Sequence, residues 1–240
     1  MEAEDRSVFE IPYVNPDKTI SYGKSEDQVI DFYNSSKPID SIIILIHGGY
    51  WRPEYDRKHL APFAKALALE GWPIALIEYR RIIGNPDAAM NDVNKAVEEV
   101  AKQYSKYVLI GHSAGGHLAL LAAQRTKTSG VIALAPLTDL LSAEELDLDD
   151  GAVSDFLGAP ASIRSDLDPM LQPALQIPTV LIHGELDLRV PFEFATRFTK
   201  SKEADNLLFI PLEGIGHFEL IDPRQEIFKS ICQQVSRIIA

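Results

Sequence analysis

Hydrophobic residues fall along this chain in two alternating rhythms. Short runs with hardly a polar break have the length and β-branched content of buried strands: SIIILIH (41–47), WPIALIEY (72–79), KYVLIG (106–111), VIALAP (131–136), TVLIHG (179–184) and LLFIPL (207–212). Between them lie longer, helix-patterned stretches. HLAPFAKALALE (59–70) is stopped by Gly71, and in 86–104 the residues Ala89, Val93, Ala96, Val97, Val100 and Ala101 recur at helical spacing behind Pro86. AGGHLALLAAQR (114–125), 191–202 and 223–239 complete the set.

Strand–helix alternation with near-continuous apolar strands predicts an α/β fold, a mostly parallel central sheet with helices on both faces. The segments 8–14, 18–22 and 28–33 are shorter and more polar, and suit antiparallel edge strands. The rhythm breaks over 137–177, where scattered Asp, Pro and Gly outlast any plain connection, so a small lid insertion over a site is expected there. With no internal repeat or low-complexity linker, residues 1–240 read as a single domain.

Bulk composition narrows the function. A net charge of −12 argues against nucleic acid and anionic membrane surfaces as partners. Much of that charge sits in SAEELDLDDGAVSD (142–155), which reads as a solvated face. No apolar run reaches the roughly 18 residues a bilayer demands. The start MEAEDRSVFE has no basic region followed by an apolar one, and the single Cys232 suits a reducing compartment, so the cytoplasm is the expected location. Neither H-E-x-x-H nor a Cys/His cluster with ligand spacing occurs, and no metal or cofactor is expected.

In sheets of this kind ligands bind beyond the carboxyl ends of the strands. GHSAG (111–115) stands at such an end, between the strand KYVLI and a helix, the strand–turn–helix setting of a nucleophile elbow. Ser113 is the candidate nucleophile, and it needs a base. Of the six histidines, His217 in GIGHF follows the last predicted strand on a glycine-rich loop, matching the base of a Ser, Asp, His chain order. His183, at the end of TVLIH, suits packing or hydrogen bonding. A carboxylate must orient the base, and HGELDLRVP offers Asp187, deeper in its loop, with Glu185 in reserve.

LIHGGYWR (45–52) then acquires a purpose. An attacked carbonyl becomes an oxyanion, which needs prepositioned N–H donors. Gly48 and Gly49 let backbone approach closely, so the amides of Gly49 and Tyr50, with that of Ala114 after the nucleophile, are the candidate oxyanion hole. His47 is expected to brace this loop.

Taken together, HGGYW, GHSAGGH, ELDLRVP and GHF, in order between about Tyr22 and Asp222, resemble the α/β-hydrolase type of kynurenine formamidase (arylformamidase), whose hallmark is H-G-G-x-W. The resemblance implies an α/β-hydrolase fold and cleavage of N-formyl-L-kynurenine to kynurenine and formate through a formyl-serine, a step of tryptophan catabolism. It implies Ser113, Asp187 and His217 as the triad and His47–Trp51 as the oxyanion motif. Related small esterases share these motifs, so a small-acyl carboxylesterase with the same triad stays open. Tyr50 and Trp51 could narrow the acyl side of the substrate pocket, or Trp51 could simply pack the loop onto the sheet. Arg52, Arg80, Arg81, Arg164 and Arg189 are loop-placed cations that a substrate carboxylate could use, but each also reads as a surface residue and none is assigned as a ligand. The expected partner is a small aryl formamide or ester, and a homodimer stays open.

Overall fold

The computed structural model describes residues 4–36 and 40–240; Met1 to Ala3 of the acidic start lie outside the described residues. Isoleucine-rich runs behave as their pattern demands. β3 (Ser41–Ile46), β4 (Ile74–Ile77), β5 (Lys106–His112), β6 (Gly130–Leu134) and β7 (Thr179–Gly184) are buried along nearly their whole length. β8 (Leu207–Leu212) closes one edge; β1 (Lys18–Ser21) and β2 (Val29–Tyr33) form the other. The sheet order is β1-β2-β4-β3-β5-β6-β7-β8. β1 and β2 pair antiparallel, as do β2 and β4, and every other pairing is parallel.

Alternation within β3 divides the core. Ile42, Ile44 and Ile46 face one cluster, completed by α2 (Pro86–Ala101), α3 (Ala114–Ala123) and α6 (Phe192–Lys202). Ile43 and Leu45 face the other, against α1 (Ala61–Glu70) and α7 (Ile227–Ile239). Helix limits follow local chemistry: Asn85 caps α2 by accepting from the Ala88 amide ahead of Pro86, and Gly71, left-handed at φ 119°, ends α1. With helices on both faces of a mostly parallel sheet, this is the α/β-hydrolase fold. Among the described residues no helix is long and apolar enough to cross a membrane.

The predicted insertion, between β6 and β7, holds α4 (Leu140–Glu145), α5 (Ala152–Leu157) and three short 3-10 turns. It is tied into the body. His117 of α3 donates from Nε2 to the Leu167 carbonyl at 2.8 Å, and within the insertion the Asp168 carboxylate accepts from the Leu140, Leu141 and Met170 amides.

One expectation is corrected. Residues 8–14 are not an edge strand: Ser7–Glu10 form a 3-10 turn and the chain then runs on without a ladder. Pro12 and Pro16 lack the N–H a ladder needs. The segment instead lies over the carboxyl end of the sheet, with Val8 buried and Phe9 edge-on to Phe218 at 4.8 Å.

Candidate active site

The β5–α3 turn is as tight as its glycines imply. A Cβ at Gly111 would lie 2.1 Å from the Gly115 carbonyl oxygen, and one at Gly115 would lie 2.1 Å from that of Ile46. Only bare backbone fits at either position. Ser113 between them has φ 58° and ψ −124°, a strained setting for a residue with a side chain. Its amide is held by the Leu134 carbonyl at 2.8 Å, and its side chain does not cap α3. The strain is therefore locked in by the sheet, and the hydroxyl is left to a cavity of about 60 Å³.

His217 lines the same cavity, on the loop after β8. Its Nδ1–H donates to Asp187 Oδ2 at 2.7 Å, which leaves Nε2 as the basic nitrogen. No hydrogen bond joins the Ser113 hydroxyl to the imidazole among the described residues; such bonds commonly tighten only around bound substrate. Asp187 stands on the loop after β7. Its Oδ1 accepts from the Arg189 and Val190 amides, each at 2.8 Å, and His183 Nε2 lies 3.2 Å from Oδ2. Burial opposes ionisation here, but the adjoining His217 and the bonds from both histidines outweigh it and hold the carboxyl well below the usual range. Glu185, the reserve choice, is exposed. His183 also donates to the Val190 carbonyl at 3.0 Å, a bracing role.

The turn after β3 has Gly49, Tyr50 and Trp51 in succession at positive φ. A Cβ at Gly48 would lie 2.7 Å from the His112 carbonyl oxygen and 2.8 Å from Ser113 Cβ, so this backbone rests against the elbow itself. A Cβ at Gly49 would strike the Tyr55 side chain at 2.5 Å. Ala114 follows Ser113 as the first residue of α3, so its amide stands at the open N-terminus of that helix. Tyr50 lines the cavity, its hydroxyl donating to the Arg189 carbonyl. Trp51 does not line it. The indole stacks on Phe156 of α5 at 4.3 Å and meets His117 edge-on at 5.0 Å, so it fastens the turn to the insertion instead of narrowing the acyl side.

Three contributors escaped the sequence. Glu78, just past β4, is buried and takes His47 Nε2–H at 2.7 Å, the Arg57 and Tyr79 amides, and Arg81. Burial opposes its charge, yet His47 and Arg81 keep its pKa far below normal. His47 so held, with Nδ1 on the Gly48 carbonyl at 2.8 Å, braces the glycine turn. A lone acid ending an otherwise apolar run was the available signal. His112 donates from Nε2 to the His217 carbonyl at 3.0 Å and so positions the base loop; burial and the nearby His217 push its pKa well down. The cavity wall contributed by Arg6 and Phe9 had no local signature.

The loop arginines are paired. Arg52 binds Asp149 and Asp155, Arg80 binds Asp92, and Arg81 binds Glu78 and Asp27. Arg164 binds Asp87 and Asp166, and Arg189 binds Glu4 at 2.8 Å. Of these five, Arg189 lines the Ser113 cavity. Among the described residues no group of three or more His, Cys, Asp or Glu is placed to hold a metal ion.

Such a site can generate an alkoxide, meet an oxyanion with backbone amides and return a proton to a leaving group. Comparison with known proteins fits that chemistry. The BD-FAE family model matches residues 30–201. Kynurenine formamidase of Danio rerio is 34% identical over 109 residues, which is 42% of this chain and only 36% of that protein. Among solved structures, a truncated carbohydrate esterase from gut microbiota superposes with a TM-score of 0.80 at 17% identity, covering 99% of both chains. Esterase B from Lactobacillus rhamnosis superposes at 0.77 and 18%, covering 97% of this chain and 89% of its own. At those identities the likeness speaks to fold alone.

Proposed function

The chain belongs to the BD-FAE family, and from that membership and the Ser113 cavity we propose that it is a serine hydrolase of the esterase and formamidase type. The observation that carries the reading is the 2.7 Å bond from His217 Nδ1 to a buried, ionised Asp187, with His217 facing the same cavity as a strained serine. His217 Nε2 takes the Ser113 proton as Oγ attacks a carbonyl carbon. The amides of Gly49, Tyr50 and Ala114 receive the oxyanion, each worth about 2.7–4 kcal/mol of transition-state stabilisation. His217 then hands its proton to the leaving group. Water, deprotonated by the same imidazole, hydrolyses the acyl-Ser113 ester and restores the serine.

For the substrate we favour an aryl formamide, N-formyl-L-kynurenine, releasing kynurenine and formate through a formyl-serine. The partial identity to a kynurenine formamidase supports this, as does a small cavity walled by Phe9, Tyr50, Tyr55 and Phe218, which suits a one-carbon acyl group and an aromatic leaving group. The same machinery serves oxygen esters, so a small-acyl carboxylesterase is the second reading. Purified protein assayed side by side on N-formyl-L-kynurenine, p-nitrophenyl acetate and p-nitrophenyl butyrate separates the two. We expect the formamide to give the highest kcat/KM and Ser113→Ala to lose all three activities. Faster turnover of the butyrate would favour the carboxylesterase, and full activity in Ser113→Ala would end both readings.

A further inference from the structure

The N-terminal segment is docked on the mouth of the cavity by several independent contacts. Phe9 meets Phe218 edge-on, Glu4 pairs with Arg189, and Ser7 accepts from Arg224 at 3.0 Å. Within it the Arg6 guanidinium lies 5.4 Å from the Phe9 ring centre and 5.3 Å from that of Phe218, and Arg6 lines the Ser113 cavity. Phe218 directly follows the base, its ring 5.0 Å from the His217 imidazole.

The charge balance around the cavity is uneven. Its carboxylates are already matched: Asp149 by Arg52, Glu4 by Arg189, and Asp187 by the two histidines. Neighbouring Asp5 accepts from the Ser7 amide. Arg6 has no carboxylate at ion-pair distance among the described residues, so one cation is left facing the cavity beside two phenyl rings. A guanidinium so placed fits a planar anion on an aromatic ligand: the rings stack on the aryl group and the fork receives the carboxylate. The chain's net charge of −12 disfavours a more highly charged anion.

We propose that Arg6 is a specificity residue that binds a carboxylate on the aromatic substrate cleaved at Ser113, so that the N-terminal segment selects anionic aryl substrates. This rests on the hydrolase reading above. Two probes of equal size test it: 4-acetoxybenzoate, which carries a carboxylate, and the neutral 4-acetoxybenzamide. Each is titrated calorimetrically into Ser113→Ala with and without Arg6→Gln, and kcat/KM is measured for the parent, Arg6→Gln and Arg6→Lys. We expect Ser113→Ala to bind the benzoate at least tenfold more tightly than the benzamide, and Arg6→Gln to erase that preference. The kcat/KM ratio of the two probes should fall about tenfold in Arg6→Gln and be partly kept in Arg6→Lys. Equal affinities in Ser113→Ala, or a preference that survives Arg6→Gln, overturn the proposal. A parent that cleaves neither these probes nor N-formyl-L-kynurenine sinks the hydrolase reading instead, and in that case, as when only the formamide is cleaved, the titrations decide whether Arg6 binds the carboxylate.

Discussion

Replacing Asp187 with asparagine is the sharpest test of the proposed triad, because the structure separates its chemical consequence from its structural one. Oδ1 takes the Arg189 and Val190 amides, and an asparagine oxygen can keep both, so the loop after β7 should hold its shape. Oδ2 faces two N–H groups, on His217 at 2.7 Å and His183 at 3.2 Å, and there the asparagine presents a donor. His183 retains the Val190 carbonyl at 3.0 Å. Among the described residues His217 Nδ1 has no second acceptor, so it must turn into the acceptor and leave the proton on Nε2, the nitrogen that has to receive the Ser113 proton. A base in the wrong tautomer costs about 10⁴-fold in kcat, or about 5.4 kcal/mol of barrier. Stability should change far less, by about 1.5–3 kcal/mol for one charge-assisted bond. Stopped-flow hydrolysis of p-nitrophenyl acetate by the parent, Asp187→Asn, Glu185→Gln and Ser113→Ala, with thermal melts of each, reads both quantities. Retention of a tenth or more of kcat in Asp187→Asn, with the larger loss in Glu185→Gln, would refute the assignment and move the acid to Glu185.

Further outcomes follow from other contacts. Gly48→Ala places a methyl 2.7 Å from the His112 carbonyl oxygen and 2.8 Å from Ser113 Cβ, so kcat should drop at least a hundredfold with the fold kept by circular dichroism; near-normal kcat would remove this turn from the oxyanion site. Glu78→Gln strips the buried partner of His47 and Arg81 and should cost about 3–5 kcal/mol in urea unfolding; a change under 1 kcal/mol would show that His47 is braced by something else. Burial lowers the His117 pKa to about 4. The unfolded chain therefore protonates first, and stability present above pH 6.5 is lost as pH falls toward 4, by about 2 kcal/mol between pH 7 and 5 from this residue. Urea midpoints of the parent and His117→Gln at those two pH values should show the variant losing less. Incubation with a chelator should leave the hydrolysis rate unchanged, and loss restored by added zinc would contradict a metal-free mechanism.

What could be read from sequence was what depends on near neighbours along the chain. Unbroken runs such as SIIILI, short and β-branched, read as strands covered on both faces, and Val93, Ala96, Val97 and Val100 share one side of a helix. The turn carrying Ser113 and the loops carrying Asp187 and His217 were legible as places because each is a short motif at a strand end, and parallel strands bring such ends to one side of the sheet. Limits were less legible: WPIALIEY shortens to Ile74–Ile77 because ladder bonds, not hydrophobicity, end a strand.

Whatever required two distant segments to choose each other was decided by the tertiary structure alone. Trp51 stacks on Phe156 although the pair lies about a hundred residues apart, because burying two aromatic faces together removes more apolar area from water than lining a small cavity would. Arg52, Arg81, Arg164 and Arg189 found carboxylates far off along the chain, and the N-terminal residues, barred from a ladder by Pro12 and Pro16, closed over the site and brought Arg6 to it. Pattern along a chain reports which side of an element is apolar. Which partner covers that side, and which charge is left without one, depends on packing in three dimensions.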